Sequence, residues 1–495
     1  MGSGWSHIET AKARLADEQG TIFKDAPFSV ALCYPSPYPV AMSSLGFQTI
    51  YREICAHPEC VAERAFLPDD LSQWGPGAPP LFCYESLRPV AEHRAVAFSI
   101  AYELEIPGIF DVLKLSGIPL LASERNESHP LIFAGGPLTF SNPQTLEPFM
   151  DLVQVGEGEE AMHVILEALR SASSKREALD ALAGQPSIHV CNRGLPWPAV
   201  AKAPVDRLPA YSQIVTPNTE LRSMFLVEAE RGCSRVCDYC VMRRTTNGGM
   251  RLVPMERVLE RIPENAAKVG LVGAAVTDHP EIADILRALT DQGRSIGISS
   301  LRACRITPEI ASLLAKGGYR TLTIAADGAS QRIRNMVHRN TTEEHLIRAV
   351  TNARAAGLKN VKLYEMVGLP GETDEDIDEL GRFSSELSRI LPLALGIAPF
   401  VSKHNTPLDG MPFEDMNVVE ARLKRLKKAV KGRVEIRSTS AKWAWVEFML
   451  AQGGPEAGLA AMDAWQSGGG FSAWKKAFER RCPGHSPSGP RSSFH

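Results

Sequence analysis

Short apolar runs, each closed by proline, glycine or a charged residue, recur along the first 200 residues. Residues 28–34, Phe-Ser-Val-Ala-Leu-Cys-Tyr, form one run that ends against Pro35, Pro37 and Pro39. That pattern predicts a buried strand feeding a loop. An amphipathic helix is expected over 45–56. Further strands are predicted at 95–100, 130–136 and 151–155, with helical segments at 107–115 and 161–171. Strands alternating with helices predict an α/β fold: an N-terminal doubly wound, Rossmann-like domain whose ligands lie at the carboxyl ends of parallel strands. Two of these strands end in glycines, Gly135-Gly136 and Gly156-Glu157-Gly158-Glu159-Glu160, where a ligand can approach the backbone closely.

Residues 192–222 carry five prolines and little periodicity, as a linker does. Behind an extended segment at 224–230, strand patterns return. They cover 269–276 (ending at Thr277-Asp278), 295–302, 319–326 (ending at Asp327) and 360–367 (running into Gly368-Leu369-Pro370). Helices fit 306–316, 343–356 and a segment starting at Thr373 with acidic residues in its first turn. This order predicts a partial (βα)6 barrel, in which the carboxyl ends of the strands face the active site. A strand and loop at 399–407 presents Lys403 and His404 either to substrate or to solvent. A basic helix over 415–432 reads as a solvated face, and Trp443, Trp445, Trp465 and Trp474 read as core residues of a helical C-terminal region. The expected domains are 1–191, a linker 192–222, the barrel 223–410, a helical domain 411–480 and a disordered tail 481–495.

Composition narrows the function. The formal charge of −3 over 495 residues gives no reason to expect a nucleic-acid partner. No apolar run is long enough to span a membrane, and Met1 to His7 lacks the features of a secretory signal, so a cytoplasmic location is expected. Of the ten cysteines, Cys33, Cys55, Cys60, Cys83, Cys191, Cys304 and Cys482 stand alone and read as small buried residues or inert thiols. His57, His93 and His129 read as surface residues.

The other three cysteines lie in Arg231-Gly-Cys-Ser-Arg-Val-Cys-Asp-Tyr-Cys240, spaced Cys-x3-Cys-x2-Cys. Structural zinc uses four ligands, commonly in paired Cys-x2-Cys units, and no second pair follows. Three thiolates on one short loop hold three irons of a cubane cluster and leave the fourth iron open.

With Tyr239 before the last cysteine, at the end of a strand, this span resembles the radical S-adenosylmethionine (SAM) superfamily. The resemblance implies a [4Fe–4S] cluster on Cys233, Cys237 and Cys240, with SAM chelating the open iron. It implies SAM contacts at Tyr239, at Gly273 and Ala274 (amino group), at Ser299 and Arg302 (ribose and carboxylate) and at Gly368 and Leu369 (adenine). The first domain resembles the cobalamin-binding domain fused ahead of many such enzymes, which implies cobalamin near Gly135, Gly136, Gly156 and Gly158. Its loop from Pro35 to Gly46 has no histidine to serve as a lower ligand. Met-Ser-x-Leu-Gly at 42–46 and Ser-Leu-Arg at 300–302 resemble one branch of the superfamily. That branch reads Ala-Pro-Glu where this chain has Ala325-Ala326-Asp327, so the carboxylate is kept but shortened. Asp327 and Cys304, at active-site strand ends, become catalytic candidates. The implied activity is cobalamin-assisted methyl or alkyl transfer to a small molecule, with an electron donor such as flavodoxin or ferredoxin. The alternative is cobalamin-independent cleavage, giving a 5′-deoxyadenosyl radical or transfer of a 3-amino-3-carboxypropyl group to an acceptor such as a metalloid. A non-enzymatic redox or cobalamin sensor is the third reading.

Overall fold

The structure, a computed structural model, describes residues 3–75, 77–242 and 248–483. Its contacts divide the chain into two compact units, 1–225 with 453–483, and 226–452. The expected tail from residue 484 onward lies outside the described residues, while Arg481 still closes the helix Phe471–Arg481.

The first unit is built on one six-stranded sheet. Its strands are β1 (Phe28–Pro37), β2 (Cys60–Leu67), β3 (Ala95–Ser99), β4 (Leu131–Gly135), β5 (Leu152–Gln154) and β6 (Ile188–Val190), in the order β2-β1-β3-β4-β5-β6. The first five are parallel and β6 is antiparallel to β5. Alternation explains the layering, because successive side chains of a strand point to opposite faces. Val30, Leu32 and Tyr34 of β1 join Phe47, Tyr51 and Ile54 of the helix Leu45–Ala56 in one core, with Ile165 and Leu166 of the helix Glu159–Ser171. The helix Ile106–Leu115 approaches so closely that a side chain at Gly108 would meet the Pro35 carbonyl at 2.2 Å.

The expected linker is part of this unit: Val215 pairs with Gln19 and Ala201 with Gly156. The expected single C-terminal helical domain divides at Gln452. Helices Pro455–Gln466 and Phe471–Arg481 belong to the first unit, where Gly458 lies against the Thr145 carbonyl and the Trp465 indole donates to Asp111 at 2.9 Å. Trp445 and Trp474 are buried as expected, whereas Trp443 is exposed.

The second unit starts with β7 (Phe225–Glu228), followed by a short antiparallel pair, β8 (Glu230–Arg231) and β9 (Arg251–Leu252). β10 (Lys268–Val272) and β11 (Ser295–Ile298) complete a three-stranded sheet ordered β11-β10-β7. β12 (Thr321–Ala325), β13 (Asn360–Val367), β14 (Leu393–Pro399) and β15 (Glu435–Ser438) form a parallel four-stranded sheet in sequence order. Between the sheets, the Ile296 amide donates to the Gly317 carbonyl at 3.0 Å. Helices Pro308–Lys316, Glu343–Ala355 and Asp374–Ile390 connect these strands, the last two capped by Thr342 and Thr373. This is the partial barrel the strand pattern predicts. The basic helix, Met416–Val430, is not a solvated face throughout. Arg422 is buried between Glu372 and Glu414, because Glu372 sits in the turn below it and needs a cation there. Among the described residues, no helix is long and apolar enough to cross a membrane.

Candidate active site

The cysteine loop leaves β8 at Gly232, whose φ of 88° lies in the left-handed region glycine tolerates. Cys237 is buried, and Cys233 and Cys240 are half-buried. Burial raises the Cys233 thiol and pushes Cys240 up to about 11, and neighbouring cysteines add to both shifts. The three sulfurs are therefore neighbours in a partly desolvated pocket. Iron deprotonates thiols on binding, so the donor set fits a [4Fe–4S] cluster with one open iron. The Arg235 amide faces the Cys233 sulfur at 3.4 Å.

Two charged networks flank the loop. In the first, the side chain of Asp278, 4% exposed, accepts from Arg235 at 3.1 Å and Arg305 at 3.0 Å, with Arg302 at 3.5 Å. Burial alone would raise the Asp278 carboxyl. The Arg235 bond, the Arg302 charge and the Arg305 bond together hold it below its ordinary value. Arg302 is itself buried, its Nε has no hydrogen-bond partner, and its charge acts on Cys233. Its charge thus acts on both Asp278 and the cysteine loop. Cys304 lies in the turn Ala303–Arg305 and is close enough to act on Arg235.

In the second network, the Tyr239 hydroxyl donates to Asp327 at 2.7 Å, and Arg339 pairs with the same carboxylate at 2.9 Å. Arg339 also donates to the Ala325 carbonyl at 2.9 Å and to Cys237. Asp327 adopts a φ of 59°, a conformation Asp and Asn tolerate better than most residues. The Tyr239 ring packs against the cluster of Ile333, Val337, Leu369 and Phe400, so Leu369 and Tyr239 belong to one apolar group.

Gly273 and Ser299 are also brought together. The Ser299 hydroxyl accepts from the Gly273 amide at 3.0 Å and donates to its carbonyl at 2.8 Å. Beneath this turn, the fully buried Glu230 carboxylate accepts from the Ala275 amide at 2.6 Å and from the Ala274 amide. Burial pushes that carboxyl up to about 7. A side chain at Gly273 would meet Glu230 Oε1 at 2.2 Å, which explains the glycine. Gly368, with a φ of 82°, donates its amide to Glu372 at 2.8 Å. Lys403 and His404 pair with Glu447 and Asp409.

The glycines of the first unit meet their own chain. A side chain at Gly136 would strike the Ile100 backbone at 2.6 Å, and one at Gly156 the Ala201 amide at 2.4 Å. At Gly135 and Gly158 it would meet the Gln154 side chain at 3.2 Å. In the Pro35–Gly46 loop, Tyr38 and Met42 are buried, and the Tyr38 hydroxyl donates to Glu18. Packing against their own chain therefore accounts for these four glycines, and the Pro35–Gly46 loop presents no histidine as a lower ligand.

Two family models match the chain and together take in more than half of it. They are the model of radical SAM proteins, N-terminal, over residues 46–191, and that of the radical SAM superfamily over 227–384. The chain belongs to the radical SAM superfamily. It is 25% identical over 413 residues to the uncharacterized protein MJ0966 of Methanocaldococcus jannaschii, covering 81% of this chain and 83% of that one. It is 24% identical over 280 residues to the uncharacterized methyltransferase PH0819 of Pyrococcus horikoshii, covering 54% of this chain and 60% of that one. In fold it is similar to the cobalamin-dependent SAM radical enzyme OxsB with aqua-cobalamin and SAM bound. The TM-score there is 0.52 at 16% identity, over 81% of this chain and 56% of that one.

Sequence reasoning missed Glu230, Arg235, Asp278 and Arg339. Asp278 carried a readable signal, a carboxylate directly after a barrel strand. Arg339 carried none, because its partners Asp327 and Cys237 lie 12 and 102 residues away in the chain.

Proposed function

We propose that Cys233, Cys237 and Cys240 hold a [4Fe–4S] cluster with which the chain reductively cleaves SAM, and that it transfers a methyl or alkyl group to a small molecule. The observation that carries the reading is the set of three neighbouring thiols on one loop, flanked by the buried cation Arg302. When bound, the cluster supplies one electron and an open iron position. The chain's own residues then act on the ligand. The Gly273–Ala275 turn, its amides held by Ser299 and Glu230, offers carbonyl oxygens to an amino group, and Arg302 offers a positive charge to a carboxylate. Leu369 and Tyr239 offer an apolar face. A small reduced electron carrier of the flavodoxin or ferredoxin class is the expected donor.

Cobalamin-assisted transfer is favoured by the parallel sheet with its order β2-β1-β3-β4-β5 and by the fold shared with OxsB. The cobalamin-independent reading is favoured by the histidine-free loop and by Gly136 and Gly156 packing on their own backbone. Anaerobic purification with hydroxocobalamin, followed by a visible spectrum and product analysis, separates the two. Bound cobalamin with S-adenosylhomocysteine formation supports the first. Cleavage to 5′-deoxyadenosine or methylthioadenosine with no bound cobalamin overturns it.

A further inference from the structure

His93 was expected at the surface, yet it is only 3% exposed and neither ring nitrogen has a hydrogen-bond partner. A buried polar atom without a partner is destabilising, so an imidazole with both nitrogens bare implies something that fills one of them. Its neighbours are Glu63 and the fully buried Cys83. One donor atom from each of the three lies within 4.8 Å of the others, and His93 Nε2 is 3.7 Å from Glu63 Oε2.

We propose that Glu63, Cys83 and His93 form a zinc site in the N-terminal unit, separate from the cysteine cluster of the barrel.

Three separately anchored segments converge there. Glu63 sits on β2 opposite Ala31 of β1. Cys83 is held by its amide bond to the Arg88 carbonyl at 2.9 Å and by the Leu87 amide, which donates to its carbonyl at 2.9 Å. His93 lies two residues before β3, whose entry is fixed by the Arg94 amide on the Ser29 carbonyl. The donor set of one thiolate, one imidazole and one carboxylate suits borderline Zn²⁺, and three protein ligands leave one position for water. Donors about 2.0–2.3 Å from a zinc ion stand roughly 3.5 Å from one another in a tetrahedron, close to the separation of His93 and Glu63. Ser86 donates to Glu63, which orients that carboxylate as an outer partner does.

Arg88 lies nearby but is engaged elsewhere, bonding Ser29 and the Glu92 carbonyl. Zinc would displace the thiol proton, and one thiolate with one carboxylate would neutralise the ion in its buried setting. The site lies toward the start of β3, whereas Gly135, Gly136 and Gly156 lie at the carboxyl ends of the neighbouring strands.

The test uses the full chain with its iron cluster reconstituted, loaded with zinc sulfate, freed of excess metal and assayed for zinc and iron separately. We expect about one zinc per chain, retained when Cys233, Cys237 and Cys240 are all replaced by alanine. Zinc content should fall at least tenfold in His93→Gln and in Cys83→Ser. Zinc should raise the melting temperature of the metal-stripped parent but not of Glu63→Gln, whose carboxamide fills the same volume in a half-buried position. A parent that binds no zinc, or binds zinc only while the three cluster cysteines are present, overturns the proposal. Equal zinc binding in His93→Gln and the parent also overturns it.

Discussion

Tyr239 donates its hydroxyl to Asp327 over 2.7 Å and so ties the cysteine loop to the carboxyl end of β12, while Arg339 links the same carboxylate to Cys237. Tyr239→Phe keeps the ring packed against the cluster around Leu369 but leaves a mostly buried carboxylate one donor short. We expect a stability loss of about 1–2 kcal/mol, read from urea unfolding, and less iron per chain after reconstitution. Asp327→Asn keeps the positive φ and should fold, yet cleave SAM more slowly because Arg339 loses its counter-charge. Equal iron content and cleavage rates in both variants and wild type would leave this network without a role.

Arg64 is the buried cation of the first unit, its side chain 1% exposed. It bonds Glu18 at 2.7 and 2.8 Å and Glu85 at 2.6 Å. Breaking a buried pair by removing one partner costs about 3–5 kcal/mol. Arg64→Ala should lower unfolding free energy by that amount, and Arg64→Lys by less, since the point charge is kept and the fork is lost. An Arg64→Ala melting temperature equal to wild type would contradict the account.

Glu372 sets a pH dependence. Burial pushes its carboxyl from 4.5 up to about 7, against the pull of the Gly368 amide and Arg422. A folded-state value above the unfolded one means the native state binds this proton more tightly. The stability it contributes is full below pH 4.5 and is lost as pH rises through about 7. Melting temperatures recorded across that window should fall more steeply for wild type than for Glu372→Gln. Parallel curves would show that the carboxyl does not titrate there.

Gly273→Ala would place a methyl group 2.2 Å from Glu230 Oε1 and 2.9 Å from the Glu230 carbonyl oxygen. Overpacking of this kind costs about 1–3 kcal/mol. Because the turn is pinned by Ser299 on its other side, the strain should appear as a weaker apparent affinity for SAM in isothermal titration of the cluster-loaded enzyme. Unchanged affinity would remove this turn from the binding site.

Much of the fold was legible because its strands are apolar and end in prolines, glycines or acids. The helix at 45–56 and the strand at 360–367 match their observed bounds. β2 was not legible, since Glu63 and Arg64 interrupt Cys60–Leu67 and only the fold shows that Arg64 meets Glu18 and Glu85. β15, Glu435-Ile-Arg-Ser438, was not legible either, since Ile436 is its one apolar residue and its two charged residues pair with each other. The cysteine triplet needed only spacing, whereas the Asp278 and Asp327 networks needed tertiary neighbours. His93 was misread for the same reason, because nothing beside it in the chain announces burial.

The central claim is that the three cysteines arm SAM cleavage. Anaerobically reconstituted protein, reduced with dithionite and supplied with SAM, should consume it and release a cleavage product resolved by liquid chromatography. Cys233→Ala, Cys237→Ala and Cys240→Ala should each reduce that consumption to the level of a protein-free control. Undiminished consumption in any of the three variants, or none by wild type carrying a full four-iron cluster, would contradict the account.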